Sequence, residues 1–112
     1  MAGKFEIKDA KKGQMYFVLK AGNGKVILTG EPYTNKSGCT NGIASVRKNS
    51  QMDDRFERLT WKKGAPYFVL KAANKKVIGT SEMYSTTSAM ENGIASVKTN
   101  APTAEVKDLT KK

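Results

Sequence analysis

Apolar and polar residues alternate along three short stretches near the start of the chain, and the pattern then changes to a helical period. Alternation with period two predicts strands near residues 4–9, 15–22 and 25–31. Apolar side chains next recur at i, i+4 and i+7 from Cys39, which predicts an amphipathic helix. Asn35 offers a side-chain oxygen as its N-terminal cap. This part of the chain therefore predicts three strands followed by a helix.

The whole pattern occurs a second time. Residues 4–50 align without a gap with residues 55–101, and 26 of the 47 aligned pairs are identical. The second copy predicts strands near residues 54–60, 66–73 and 76–82, and then a helix capped by Thr86. The segment near 104–109 repeats the start of the pattern, which predicts a closing strand. We expect a single domain, residues 1–112, made of two internal repeats of an α+β type.

Short polar segments separate the predicted strands. Lys-Lys-Gly at 11–13 and 62–64 predicts one hairpin turn in each copy. Asn23–Gly24 suits a type I′ turn, which needs positive φ at both central residues. Asn74–Lys75 departs from that pattern and predicts a looser connection.

A two-residue turn at the asparagine assigns each strand residue to a face of the sheet. It places Lys20 opposite Ile27 and Val18 opposite Thr29, with equivalent pairs in the second copy. We expect the helices to cover the more apolar face, which carries Phe17, Leu19, Ala21, Val26 and Leu28 in the first copy and Phe68, Leu70, Ala72, Val77 and Gly79 in the second. The other face, which carries the tyrosines, is predicted to be open.

The hexapeptide Asn-Gly-Ile-Ala-Ser-Val stands at 41–46 and again at 92–97. Most of it is predicted to be structural: the residues concerned are Gly42, Ile43, Val46, Gly93, Ile94 and Val97. A glycine inside a helix costs about 1 kcal/mol relative to alanine, so its place in both copies predicts close approach to a neighbouring element. Asn41 and Ser45 are interpreted as outward-facing surface.

Several chemistries are excluded or disfavoured by composition. The chain has no histidine, which excludes serine–histidine and cysteine–histidine catalysis, so we expect no enzyme, no cofactor and no metal. Cys39 lies on the apolar stripe and is matched by Met90, which favours packing over a nucleophile. The carboxylates at 53, 54 and 57 lack the spacing of a calcium loop and predict solvated charge. One cysteine and no apolar run of membrane-spanning length predict a cytoplasmic protein.

The repeated blocks together resemble a known family. Tyr-Phe-Val-Leu-Lys-Ala at 16–21 and 67–72, Val-Ile at 26–27 and 77–78, and the hexapeptide are similar to the YegP-like proteins, a family of uncharacterised function. The resemblance implies two tandem β(3)-α-β units that form one antiparallel sheet, with exchanged closing strands and two helices on one face. It also implies a monomer, because the duplication replaces a dimer of single units. It implies no substrate or catalytic residue.

A net charge of +10 is large for 112 residues, and such a field attracts nucleic acid, acidic membranes or acidic proteins. Our leading hypothesis is a basic module that binds nucleic acid or another acidic partner through the open face. The candidate binding residues are Tyr16, Lys20, Tyr67 and Lys71, with the turn lysines Lys11, Lys12, Lys62 and Lys63. The alternative is a structural or protein-interaction module. Trp61 suits stacking on a base, although covering the end of the core is the more ordinary role.

Overall fold

The computed structural model describes residues 3–110, in which two helices pack on one face of a seven-stranded sheet. The strands are β1 (Lys4–Asp9), β2 (Met15–Lys20), β3 (Val26–Gly30), β4 (Phe56–Thr60), β5 (Pro66–Lys71), β6 (Val77–Thr80) and β7 (Glu105–Asp108). The helices are α1 (Lys36–Asn49) and α2 (Thr87–Asn100). The order across the sheet is β4-β5-β6-β3-β2-β1-β7. Every strand and helix that the periodicity predicts is present, and no helix within this part of the chain could span a bilayer.

The expected wholly antiparallel sheet is wrong at one edge, because β7 runs parallel to β1. The reason lies where α2 ends. The Gly3 N–H donates to Asn100 Oδ1 at 3.0 Å, so α2 stops beside the start of β1. The chain then enters the sheet at the end where β1 also begins, and β1 already occupies the inner position. β7 therefore adds along the outer side of β1 in the same direction, and the sheet is mixed.

The type I′ turn lies elsewhere than predicted. Lys12 (φ 61°, ψ 35°) and Gly13 (φ 75°) both have positive φ, and so do the matching residues of the second Lys-Lys-Gly turn. Asn23 has negative φ and only Gly24 is left-handed, which makes a three-residue loop that ends in a bulge. The second copy forms the same loop with Lys75 at φ 70°, so the predicted looser connection is also wrong.

This longer loop changes the register next to it. Val18 lies opposite Thr29 as predicted, but a bulge after Leu19 places Val26 opposite Lys20. The same bulge follows Leu70 in the second copy. Ile27 and Ile78, predicted on the open face, belong instead to the hydrophobic core, whereas Val26 and Val77, predicted on the covered face, are not part of it, and Val77 is 36% exposed.

Each helix packs on the apolar face predicted for it and reaches across the seam between the copies. α1 contacts β2 as well as β5 and β6, whereas α2 contacts β5 and β3. Phe17 and Phe68 are fully buried at the centre of the two halves, and the isoleucine and valine of each hexapeptide pack near them. The N-caps are confirmed, because Asn35 Oδ1 accepts from the Gly38 N–H at 2.8 Å and Thr86 Oγ1 from the Ala89 N–H at 3.0 Å.

The two mid-helix glycines make room for a tyrosine. A Cβ at Gly42 would overlap the Tyr33 hydroxyl and lie 3.0 Å from Cε2 of Phe17, on which the Tyr33 ring stacks. Gly93 has the same relation to Tyr84. The predicted close approach is present, but the neighbour is a half-buried side chain rather than backbone. Burial raises the pKa of both tyrosines, which keeps their hydroxyls protonated at neutral pH.

Gly42→Ala is therefore expected to lower the free energy of unfolding by about 1 kcal/mol, since overpacking outweighs the gain in helix propensity. In a Tyr33→Phe background, which removes the nearest overlapping atom but leaves Cζ 2.9 Å from the added Cβ, the same change should cost less. Urea unfolding of the four proteins of this cycle measures the coupling, and Gly93 with Tyr84 provides a second, independent cycle. Stabilisation by Gly42→Ala in the wild-type background would contradict the packing described.

Candidate functional site

The open face is the side of the sheet opposite the helices, and one row of residues crosses all seven strands on it. In spatial order from β4 to β7 the row is Glu57, Val69, Thr80, Thr29, Val18, Glu6 and Lys107. Its centre is neutral and its flanks are charged, with the same order in the two copies. Val18 and Val69 are only 4% and 6% exposed, so neighbouring long side chains already cover the apolar centre.

The two predicted face lysines are paired with carboxylates. Lys20 Nζ lies 3.0 Å from Glu6 Oε1, and Lys71 Nζ contacts Glu57 Oε1. Lys4 and Lys8 also approach Glu6, at 3.9 and 3.8 Å. Hydrogen bonding to Lys20 is the main cause that lowers the pKa of Glu6, burial opposes it, and the charges of Lys8 and Lys4 add to it. A phosphate at Lys20 or Lys71 must therefore compete with a carboxylate.

Glu6 should make the stability of the protein depend on acid. Because folding lowers the pKa of Glu6, the ionised carboxylate stabilises the folded protein fully above pH 4.5, its ordinary pKa. This stabilisation is lost as the pH falls through the lowered pKa of the folded state. Wild type should thus lose more unfolding free energy between pH 7 and pH 3 than Glu6→Gln does. The matched control is Glu105→Gln, an exposed carboxylate on β7 without an ion pair in residues 3–110. Equal acid sensitivity of wild type and Glu6→Gln would refute this account.

The topology separates the predicted binding residues into two groups. Lys11 and Lys12 lie in the β1–β2 turn, and Lys62 and Lys63 in the β4–β5 turn, which is at the opposite end of the sheet. All four are exposed and make no ion pair within the described chain. Strand spacing and rise place the Cα atoms of the two tyrosines on β2 and β5 about 20 Å apart on a diagonal. The candidate residues therefore form two separate groups.

At one end of the open face two aromatic rings, those of Trp61 and Tyr67, are in contact. Trp61 is 52% exposed, and its ring meets Tyr67 edge to face with centroids 6.3 Å apart. The Lys62 ammonium lies 5.9 Å from the centroid of the Trp61 ring. The expectation that Trp61 covers the core is wrong. We call Trp61, Tyr67, Lys62 and Lys63 the aromatic end.

Sequence reasoning did not assign Trp61 to the open face, although the signal was there. Glu57 and Leu59 alternate onto this face of β4, and Trp61 continues the alternation into the turn. The matching position in the first copy is Ala10, so the β1–β2 end has Tyr16 without a second ring.

Cys39, Asp53 and Ser45 have structural partners, whereas Asn41 is exposed. Cys39 is fully buried and burial raises the pKa of its thiol, which confirms the packing interpretation. Asp53 lies 2.7 Å from Lys98 and 3.3 Å from Arg58. Ser45 accepts hydrogen bonds from the Asn49 amide through both its carbonyl oxygen and its hydroxyl. Asn41 is exposed and faces a groove described below.

Known proteins match this chain throughout its length. The model of the Domain of unknown function DUF1508 matches twice, at residues 10–57 and 62–108. The UPF0339 protein of Acinetobacter baylyi is 58% identical over 98% of this chain and 99% of its own, and the UPF0339 protein YegP of Escherichia coli is 53% identical over 98% and 100%. The solution NMR structure of a UPF0339 protein from Shewanella oneidensis aligns with a TM-score of 0.92, at 54% identity over 98% of this chain and 93% of that one.

Proposed function

This chain belongs to the DUF1508 family, among the UPF0339 proteins, and we propose that it is a non-enzymatic protein that binds single-stranded nucleic acid through the open face. The observation that supports this most is the aromatic end, where an exposed indole and a phenol ring stand beside two lysines that make no ion pair within residues 3–110. Aromatic rings stack on bases of any sequence while cations meet the phosphates. The net charge of +10 adds a long-range attraction.

The proposal gives the two groups of residues different roles. At the aromatic end, Trp61 and Tyr67 stack on bases while Lys62 and Lys63 contact phosphates. The nucleic-acid strand then crosses the open face toward Tyr16, Lys11 and Lys12, which make the weaker contacts. Lys20 and Lys71 take part by exchanging a carboxylate partner for a phosphate. Because stacking on an aromatic ring requires a base whose face is accessible, an unpaired strand suits this surface better than a duplex does.

Fluorescence anisotropy with labelled single- and double-stranded oligonucleotides tests the proposal. Single strands should bind more tightly, and with two to four phosphates neutralised the slope of log K against log salt should lie between about −1.4 and −2.8. The key variant is Lys62→Ser with Lys63→Asn, since asparagine tolerates the positive φ at position 63. Its slope should be shallower by about 1.4.

The matched control is Lys11→Ser with Lys12→Asn, which makes the same change in the equivalent turn. It should reduce affinity less, because no second aromatic ring lies beside that turn. If wild type binds no oligonucleotide at low salt, the proposal fails.

The alternative, a module that docks a protein or a second copy of itself, has less support. The centre of the open face exposes little apolar surface, because Val18 and Val69 are already covered. We therefore propose a monomer. Light scattering over a range of concentrations, repeated with Tyr16→Ser and Tyr67→Ser, tests this: a dimer in wild type that both changes abolish would favour the alternative.

The proposal extends to architecture and setting. We infer β(3)-α-β units with an exchanged last strand, because the strand that follows α1 lies beside β5 at the far edge of the other half. A cytoplasmic location agrees with the one buried cysteine.

A further inference from the structure

A groove outside the open face has the features of a small-molecule site. It lies where the end of α1, the connection to β4 and the β5–β6 turn meet, and its volume of about 690 Å³ is within the usual range for ligand pockets. Ala44, Ala72 and Ala73 supply apolar lining, with side-chain amides around them. Such a mixture of apolar and polar walls suits a ligand with a flat ring and a polar edge.

The charge of the groove is of one sign. Ten residues line it; none is acidic, and Lys48 and Arg55 are both cationic. Lys48 is exposed and makes no ion pair within residues 3–110. An anionic group that enters the groove would thus meet two cations and no lining carboxylate. A groove lined by both a planar guanidinium and an ammonium offers favourable contacts to a phosphate.

Arg55 is held in place by the end of the helix. Its Nη1 donates to Asn49 Oδ1 at 2.6 Å, and its Nε lies 3.9 Å from Asp54. Asn49 is itself buried and fixed by two hydrogen bonds to Ser45. Within the described part of the chain the third nitrogen, Nη2, has no hydrogen-bond partner, so it is available to a ligand.

The second copy keeps the framework but differs in its charged residues. Asn100 makes the same two bonds to Ser96, at the same distances, but its Oδ1 accepts from the Gly3 N–H instead of an arginine. Thr99 occupies the position equivalent to Lys48. The corresponding groove beside the end of α2 is lined by Lys4 and Lys107 but also by Glu105, whereas the groove of the first copy has two cations and no lining carboxylate.

We propose that this groove binds a phosphorylated small molecule of about the size of a nucleoside monophosphate. Arg55 and Lys48 hold the phosphate, and the flat group lies against the alanines. Asn41 and Asn74 face its polar edge. The site is independent of the open face and of the function proposed for that face.

Titration of ¹⁵N-labelled protein with AMP, followed by NMR, tests the site. Shifts should concentrate at Ala44, Lys48, Ala73 and Asn74, while the matched residues Ala95, Thr99, Gly22 and Asn23 stay in place. Adenosine and inorganic phosphate should each bind about tenfold or more weakly than AMP, since each lacks one part of the ligand. If inorganic phosphate binds as tightly as AMP, the groove recognises only the anion and the proposal is wrong. The proposal is also wrong if millimolar AMP causes no shifts at these residues.

Lys48→Thr, which installs the residue of the second copy, should weaken AMP binding by about tenfold. The matched control is Lys25→Thr, which removes an exposed lysine in the β2–β3 turn. This turn lies at the opposite end of the antiparallel strands from the groove, so the change should leave the affinity within about twofold. Equal losses in the two variants would show general charge attraction and refute the site. Lys48→Thr should bind an oligonucleotide, measured by anisotropy, with nearly the affinity of wild type. Loss of AMP binding at the groove can therefore be distinguished from loss of nucleic-acid binding at the open face.

Discussion

Trp61→Ala is expected to weaken the binding of a single-stranded oligonucleotide by about 5- to 150-fold, the equivalent of about 1–3 kcal/mol for one stacked base. The reason is that the indole is half exposed and meets Tyr67 edge to face, so the two rings do not stack on one another. Anisotropy at low salt measures the loss. Trp61→Phe should keep part of the affinity that Trp61→Ala loses, because phenylalanine still offers an aromatic ring to a base. If charge attraction alone caused binding, the alanine and phenylalanine variants would bind equally well.

The internal repeat offers a gain-of-function control for this prediction. Ala10 precedes the first Lys-Lys-Gly turn as Trp61 precedes the second, and Tyr16 is equivalent to Tyr67. Ala10→Trp should therefore create a second aromatic end and tighten binding to oligonucleotides long enough to cross the sheet. Unchanged affinity in both Trp61→Ala and Ala10→Trp would show that tryptophan at this position contributes nothing to binding.

Gly30→Ala is expected to have the largest effect on stability, a loss of about 3 kcal/mol, which is the upper part of the range for overpacking. Gly30 lies opposite Gly79 at the seam where β3 of one copy pairs with β6 of the other. A Cβ at Gly30 would overlap the ring of Phe17 and lie 2.7 Å from its Cδ2. Phe17 is fully buried and stacked on Tyr33, so the ring has nowhere to move. Urea unfolding measures the loss.

A smaller residue at position 17 provides the control. Phe17→Leu opens space beside the seam, so Gly30→Ala should cost much less in that background than in wild type, although Phe17→Leu is itself destabilising. If the two changes are additive, the overlap with Phe17 is not the cause. A Cβ at Gly79 would lie 2.7 Å from both Cγ and Cδ2 of Leu28, and Gly79→Ala should cost less than Gly30→Ala because a leucine side chain can change rotamer more readily than a packed ring can move.

Periodicity and the repeat predicted the order of elements and most of the core, because burial requires a fixed spacing of apolar residues. Turn conformation was less accessible. Lysines at 12, 63 and 75 adopt positive φ without any local preference for it, and the structure imposes the conformation through the hairpins they join. The orientation of β7 was also out of reach, since it depends on where α2 ends in space rather than on the residues of the strand.

The candidate site was predictable in part. Alternation placed Tyr16, Lys20, Tyr67 and Lys71 on strands, but the pairing of the lysines with Glu6 and Glu57 requires knowledge of which strands are neighbours. The division of the turn lysines between two ends likewise follows only from the strand order. The groove at Arg55 had no sequence signal at all, because its walls come from α1 and from the β5–β6 turn.

The fluorescence of Trp61 gives the most direct measurement of the central claim, since it is the one tryptophan of the chain and lies at the aromatic end. Titration with a short single-stranded oligonucleotide at low salt should quench its emission to a saturating value. Added salt should reverse the quenching, and a duplex of equal charge should quench less. Emission that stays constant while the anisotropy of the same oligonucleotide rises would show binding elsewhere, and would contradict the assignment of the open face as the binding surface.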